Sequence, residues 1–411
     1  MECAADAGFP GAADAFTGPL RERVDVFRRE RKGKLWAGGH VLHGARPGPD
    51  AVLVNSNDYL CLARDPVVVE AMARTLAERG NDTLMSGVLL HGDDQPQLAL
   101  ETDLARFMGA RSGILCQSGW EANAGLLATI VTEGTPVYVD TLAHMSLWEG
   151  ARAAGGALRR FRHNDPGHLR RRIDTYGPGL VLVDSLYSTD GSVCPLAETA
   201  AVAGAAGCVM VVDESHAVGV WGDGGAGLWP GAAGPGSEAV WFRTASLSKA
   251  FAGRAGFIAC EGPVEAELPD FVEYFKITAP PAVFSSTLLP HDVAGLRAAM
   301  DIVRVADDRR ARLRDVSAYV RGELERIGPP LYVGGSGGQI VSLEAGDEAE
   351  TIVLRDALEG RGVFGAPFVP PATRRKGCVV RISLHAGLTD AEVERVVAAC
   401  VAARQSLPCQ L

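Results

Sequence analysis

The chain has 411 residues, of which 47% are hydrophobic and 22% charged, and a formal net charge of −10. That length and composition exclude a disordered chain and allow one large domain with a smaller companion. The acidic balance argues against nucleic acid or an anionic membrane as partner, because both reward a basic surface. A local basic pocket for an anionic ligand stays open.

No apolar run reaches the roughly 18–20 residues that a membrane-spanning helix needs. The N-terminus, MECAADAGFPGAADAF, carries acids early and has no cationic start ahead of an apolar stretch, so neither membrane insertion nor a secretory leader is expected. The nine cysteines are scattered, with no CxxC pair. They read as reduced, mostly buried thiols, and a cytoplasmic location follows as the expectation.

In chain order, Leu20 to Arg31 reads as a charged amphipathic helix, and the Gly/Pro-rich passage from Gly33 to Asp50 as loop and hairpin. This N-terminal segment (1–55) buries little alone and is expected to pack on another domain or subunit. From Glu101 to Cys260 short apolar runs alternate with helical ones. Strands are predicted at Gly113–Gln117, Pro136–Asp140, Gly179–Asp184, Cys208–Asp213, Val240–Phe242 and Phe257–Cys260, with helices at Glu121–Val131, Met145–Ala153 and Leu196–Ala206. The alternation predicts an α/β domain (56–290) with a mainly parallel sheet covered by helices on both faces. A helical run from His291 to Ile327 leads into a smaller α+β domain (291–411). There, strands near Gln339–Ala345 and Val379–Leu384 alternate with helices near Glu350–Arg361 and Asp390–Arg404.

Five segments carry chemistry. In TASLSKAFAGRAGF, Lys249 stands among small hydroxyl residues after a strand and before a glycine-containing turn. A cofactor held through a lysine amine, with a phosphate to be gripped by hydroxyls such as Ser246, needs such a segment. A surface lysine in a loop fits it equally well. In CVMVVDESHAVG a strand ends in Asp213, with His216 three residues on. Ligands of open α/β sheets bind beyond the carboxyl ends of strands, where a carboxylate can pair with a protonated pyridine nitrogen and an imidazole with a ring oxygen. A helix cap and a loop histidine are the alternative. In CQSGWEANAGLLATI, Ser118 and Gly119 open a helix whose free N–H groups suit a phosphate, or Ser118 is a plain N-cap. In DTLAHMSLWEGAR, His144 follows a strand and can lie flat on a pyridine ring. In VVRISL, Arg381 sits inside an apolar strand, where its charge needs an anion: a substrate carboxylate or a structural partner.

Other motifs fail on context. No HExxH, Cys/His cluster or P-loop is present, so no metal is expected. GDGGAG (222–227) matches GxGxxG without the helix that motif requires, and GGSGG (334–338) runs into a strand, so it is a turn and not a nucleophile elbow.

Taken together, SNDYL, SGWEAN, AHMSLWEGA, DSLYSTDG, DESHAVG, SLSKAF, FSSTLLP and VRISL stand in the order found in the α-oxoamine synthases, and from about Ser56 to Thr389 the chain resembles that family. TLMSGVLLHGDD (83–94), QSGWEANAGLL, GVFGAPF and PATRRKG resemble its Vibrio-type branch, which makes an α-aminoketone autoinducer. The chain departs from the family's usual residues at Gln97, commonly histidine, and at Cys61, commonly glycine. The resemblance implies the fold type I architecture of pyridoxal 5′-phosphate (PLP) dependent transferases. It implies that Lys249 carries PLP, Asp213 holds the pyridine nitrogen, His216 the ring oxygen, and His144 stacks on the ring. It also implies Ser188 beside the phenolic oxygen and Ser118, Gly119, Trp120 and Ser246 at the phosphate, joined by Ser285 and Ser286 from a neighbouring subunit of a homodimer. Asn57 and Arg381 would bind the substrate carboxylate. The implied reaction is decarboxylative condensation of an amino acid with an acyl-CoA or acyl-carrier-protein thioester, giving an α-aminoketone. An aminotransferase or lyase without acyl donor is the alternative, and a non-catalytic PLP-binding subunit a weaker one.

Overall fold

The computed structural model describes residues 12–82, 86, 95–234, 236–327, 332–333, 337–404 and 406. Of the 83–94 segment only Ser86, and of the 334–338 glycine run only residues 337 and 338, fall within the described residues.

A seven-stranded sheet organises the larger part of the chain. In spatial order its strands are Ser112–Cys116, Gly256–Cys260, Val240–Ser246, Val209–Asp213, Leu180–Asp184, Pro136–Asp140 and Ala157–Phe161. Gly256–Cys260 runs antiparallel to both neighbours, and the others share one direction. The central strands are continuous apolar runs because both faces are covered. Leu180 and Leu182 join the core beneath helix Gly119–Ile130, whereas Val181 and Val183 join the core beneath helices Pro166–Tyr176 and Leu196–Ala205. Successive side chains thus feed opposite layers, as strand geometry requires.

The C-terminal part has a four-stranded antiparallel sheet, ordered Ala366–Phe368, Cys378–Ser383, Ile340–Gly346 and Tyr332–Val333. Helix Glu348–Glu359 packs on it, started by a capping box between Asp347 and Glu350. One apolar core, including Leu60, Phe251, Leu296, Val341 and Val380, runs continuously between the two sheets. The mainly parallel sheet with a smaller C-terminal α+β unit agrees with the sequence reading.

Three elements differ from expectation. The first helical run continues past Gly33 to Leu35, as Ala12–Val26 followed by a wider-wound Phe27–Leu35, and no hairpin forms before Asp50. That stretch docks instead on the C-terminal unit: Trp36 Nε1 donates to Glu348 Oε2 at 2.6 Å, and Trp36 and Val41 pack on Val369 and Cys378. The long helical run breaks into Pro290–Arg304 and Asp307–Ile327. There the buried Arg310 Nη1 donates to Val303 O at 2.8 Å, a carbonyl that a continuous helix would keep, and to Gly219 O at 3.2 Å in a distant loop. The edge strand Ala157–Phe161 was not foreseen, since Arg159 and Arg160 interrupt its apolar pattern. Among the described residues no helix is long and apolar enough to cross a membrane.

Candidate active site

Four strands of the large sheet end, at the same edge, in Asp140, Asp184, Asp213 and Ser246. Just beyond them a small cavity is lined by Gly119, Trp120, Asn123, His144, Ser146, Asp184, Asp213, Ser215, His216, Ser246 and Lys249. Seven of the residues singled out from sequence therefore meet at one place, beyond the carboxyl ends of the strands.

One wall is the N-terminus of helix Gly119–Ile130, capped by Ser118 Oγ, which accepts from Glu121 N at 3.2 Å. Gly119 is required there: a Cβ would fall 2.6 Å from Ser246 Cβ and 2.9 Å from Ser246 Cα. The contact brings the helix's free N–H groups against the Ser246 and Ser248 hydroxyls, which lie 2.8 Å apart. Arg254 faces Glu121 in this region: burial raises the Glu121 pKa and Arg254 opposes that shift.

The opposite wall is a chain of buried polar groups. Asp213 Oδ1 accepts from Ser215 N at 2.8 Å and Oδ2 from Asn123 Nδ2 at 2.7 Å. Asn123 Nδ2 also donates to Ser146 Oγ at 2.8 Å, and its Oδ1 accepts from Thr244 Oγ1 at 2.6 Å. Ser146 Oγ in turn lies 2.7 Å from His144 Nδ1. Asp213 is thus fixed by two donors before any ligand arrives. Burial lowers the His144 pKa, so its imidazole is neutral near pH 7.

Burial also lowers the Lys249 amine pKa, with Arg381 adding to the effect and Asp213 and Asp184 opposing it. Asp184 is pushed well above the usual carboxyl range by burial and then by Asp213, while His144 N donates to its Oδ1 at 3.0 Å.

Arg381, in strand Cys378–Ser383, is buried. Its Nη1 donates to Ser188 O at 2.8 Å and its Nη2 to Asn57 Oδ1 at 2.6 Å, its guanidinium lies 4.6 Å from the Phe368 ring centre, and Nε has no partner. A buried, unpaired N–H on a cation is costly, and an incoming carboxylate would satisfy it. Ser188 therefore meets Arg381 through its carbonyl. Ser285 and Ser286 stand apart from the Lys249 cavity within the chain, lining a separate cleft with Gln117 and Lys276. Gln97 is buried and accepts from Thr287 Oγ1 at 3.0 Å. Cys61 holds a left-handed backbone, φ +59°, with its sulfur 3.3 Å from His385 Nδ1.

The residues fit PLP. A glycine-tight helix N-terminus with two hydroxyls suits its phosphate, Asp213 is held by two donors where a pyridinium would meet it, and Lys249, an amine able to bond a carbonyl carbon, lines the same cavity. Sequence reasoning missed Asn123, Ser146, Asp184, Ser215 and Tyr59. Asn123 carried a signal, as an amide among the apolar residues that follow the helix start.

The sequence matches the aminotransferase class I and II family over residues 49–399. It is 42% identical to the CAI-1 autoinducer synthase of Vibrio campbellii over 88% of each chain. It is 34% identical to the 8-amino-7-oxononanoate synthase of Halorhodospira halophila over 86% of this chain and 85% of that one. The fold is similar to the solved serine palmitoyltransferase of Sphingomonas wittichii, with a TM-score of 0.81 at 26% identity over 97% of this chain and all of the other.

Proposed function

We infer that this chain, which belongs to the aminotransferase class I and II family and within it to the α-oxoamine synthases, is a PLP-dependent acyltransferase. It joins an amino acid to an acyl thioester with loss of CO₂, giving an α-aminoketone and the free thiol. The observation that carries this reading is the single cavity in which Lys249, Asp213 and the N-terminus of helix Gly119–Ile130 meet.

Lys249, Asp213, His216, His144, Gly119, Trp120 and Ser246 would hold PLP, with Ser118 fixing the start of the helix and Ser188 beside the ring's oxygen. When bound, PLP supplies an electron sink for negative charge at the amino acid's α-carbon. The chain's residues provide the rest. Asn57 and Arg381 grip the substrate carboxylate, and Arg381 Nε offers an uncommitted donor. This grip orients the Cα–H bond. Lys249 Nζ, its proton affinity reduced by burial, takes the α-proton as general base and returns one after CO₂ is lost. Asp213, held by Asn123 and Ser215, stays directed at the pyridine nitrogen. The donor is an acyl-CoA or an acyl carrier protein.

The working unit is a homodimer in which Ser285 and Ser286 reach the partner subunit's phosphate site. Support comes from their distance from the cavity of their own chain and from Phe284 beside them, 86% exposed, an apolar surface suited to a second copy.

Free-thiol release from acyl-CoAs of short to medium chain length, against a panel of amino acids, tests the reading. Release that requires one amino acid and vanishes in Lys249→Ala supports it. Keto-acid formation without thiol release, from PLP-loaded protein, would favour an aminotransferase.

A further inference from the structure

Tyr59 is fully buried, and its hydroxyl lies 2.6 Å from His216 Nδ1 and 3.2 Å from Asn57 Oδ1. We propose that Tyr59 is a positioning residue: its O–H donates to His216 Nδ1 and thereby locks His216 as the Nε2–H tautomer, presenting a donor to the PLP ring oxygen. The inference rests on the assignment of His216 to that oxygen and deepens it, by specifying which proton does the work and what puts it there.

Distances around Tyr59 favour one arrangement of donors and acceptors. The indole N–H of Trp221 can only donate, and it donates to Gln339 Oε1 at 2.9 Å. That fixes the Gln339 amide, whose Nε2 donates to His216 O at 2.8 Å. The phenol has one proton to give, and Asn57 Oδ1 and His216 Nδ1 both lie within its reach. Asn57 Oδ1 already accepts from Arg381 Nη2 at 2.6 Å, and the longer Tyr59 contact competes poorly with that charged donor. His216 Nδ1, at 2.6 Å, is the closer acceptor, and the distance suits an O–H donor better than an N–H donor.

Two conditions make the tautomer matter. The imidazole must be neutral, and burial, then the charges of Lys249 and Arg381, hold the His216 pKa well below its ordinary value. The phenol must keep its proton, and burial raises the Tyr59 pKa to about 12. A neutral imidazole carries one N–H. With Nδ1 accepting, Nε2 bears it and is the nitrogen left for the cavity that His216 lines. Were the proton on Nδ1, Nε2 and the PLP ring oxygen would be two acceptors facing each other.

The test reads the tautomer itself. Nitrogen-15 chemical shifts of histidine-labelled, PLP-free protein, with His216 assigned by its loss in His216→Asn, should show Nε2 protonated and Nδ1 bare. In Tyr59→Phe the His216 signals should move toward a mixture of tautomers. PLP titrated into apoprotein and followed by absorbance should bind roughly three- to tenfold more weakly in Tyr59→Phe, the equivalent of one net hydrogen bond. An Nδ1–H tautomer in the wild-type protein would overturn the proposal without recourse to any variant. So would a Tyr59→Phe protein with unchanged His216 shifts and unchanged PLP affinity. Failure of the functional reading looks different: the tautomer would be as stated, but PLP would not bind or no thiol would be released.

Discussion

Asn123→Ala should be among the most damaging substitutions at the cavity, although Asn123 bears no charge. The side chain is 2% exposed and makes three hydrogen bonds: to Asp213 Oδ2, to Ser146 Oγ and from Thr244 Oγ1. Ser146 keeps His144 Nδ1 as a partner, so its loss is small. Asp213 loses one of two donors in a buried setting, and a hydrogen bond to a charged group is worth ~1.5–3 kcal/mol. Thr244 loses its acceptor, worth about 1 kcal/mol. The expected destabilisation is therefore about 2.5–4 kcal/mol. Thr244→Val removes only the last contribution and should cost about 1 kcal/mol. Because that contribution lies inside the first, the double variant should fall short of additivity by about the same amount. Chemical denaturation of the four PLP-free proteins measures all three quantities. An Asn123→Ala protein within about 0.5 kcal/mol of wild type, or full additivity with Thr244→Val, would refute the argument that Asn123 braces Asp213.

Arg381→Ala should raise the KM for the amino acid by at least about tenfold, and Arg381→Lys should not restore it, since the planar fork is what the carboxylate meets; an unchanged KM would make Arg381 purely structural. In PLP-free protein, the lowered Lys249 pKa means that the unfolded chain holds this proton more tightly than the folded one. Stability from this group therefore rises with pH from the lowered value to the ordinary 10.5, and Lys249→Met should lack that slope when melting temperature is followed against pH; equal slopes would contradict it. Cys61→Gly should cost little or no stability, because the left-handed backbone favours glycine, whereas Cys61→Val should lose about 1 kcal/mol or more in denaturant titrations. Equal stability of the two variants would show that the backbone at this position is under no strain.

The sheet was legible because its central strands are unbroken apolar runs that end in acids, as at Asp184 and Asp213. The edge strand Ala157–Phe161 was not, because Arg159 and Arg160 face surroundings other than a core, with Arg159 lying 4.5 Å from the Tyr176 ring. Most of the residues proposed to hold a ligand stand at strand ends or at a helix start, where local sequence announces them. Their supports did not. Asn123 meets Asp213 across 90 residues and Tyr59 meets His216 across 157, pairings set by the fold and invisible to local spacing. The family's usual glycine at position 61 is explained by the left-handed backbone there, which this chain occupies with cysteine.

The central claim is most directly tested with amino acid labelled at its carboxyl carbon, incubated with an acyl-CoA it supports. The account predicts labelled CO₂ and free CoA in equal amounts, an unlabelled aminoketone, and none of the three from Lys249→Ala. Labelled keto acid without CoA release, or thiol release with the label retained in the product, would contradict it.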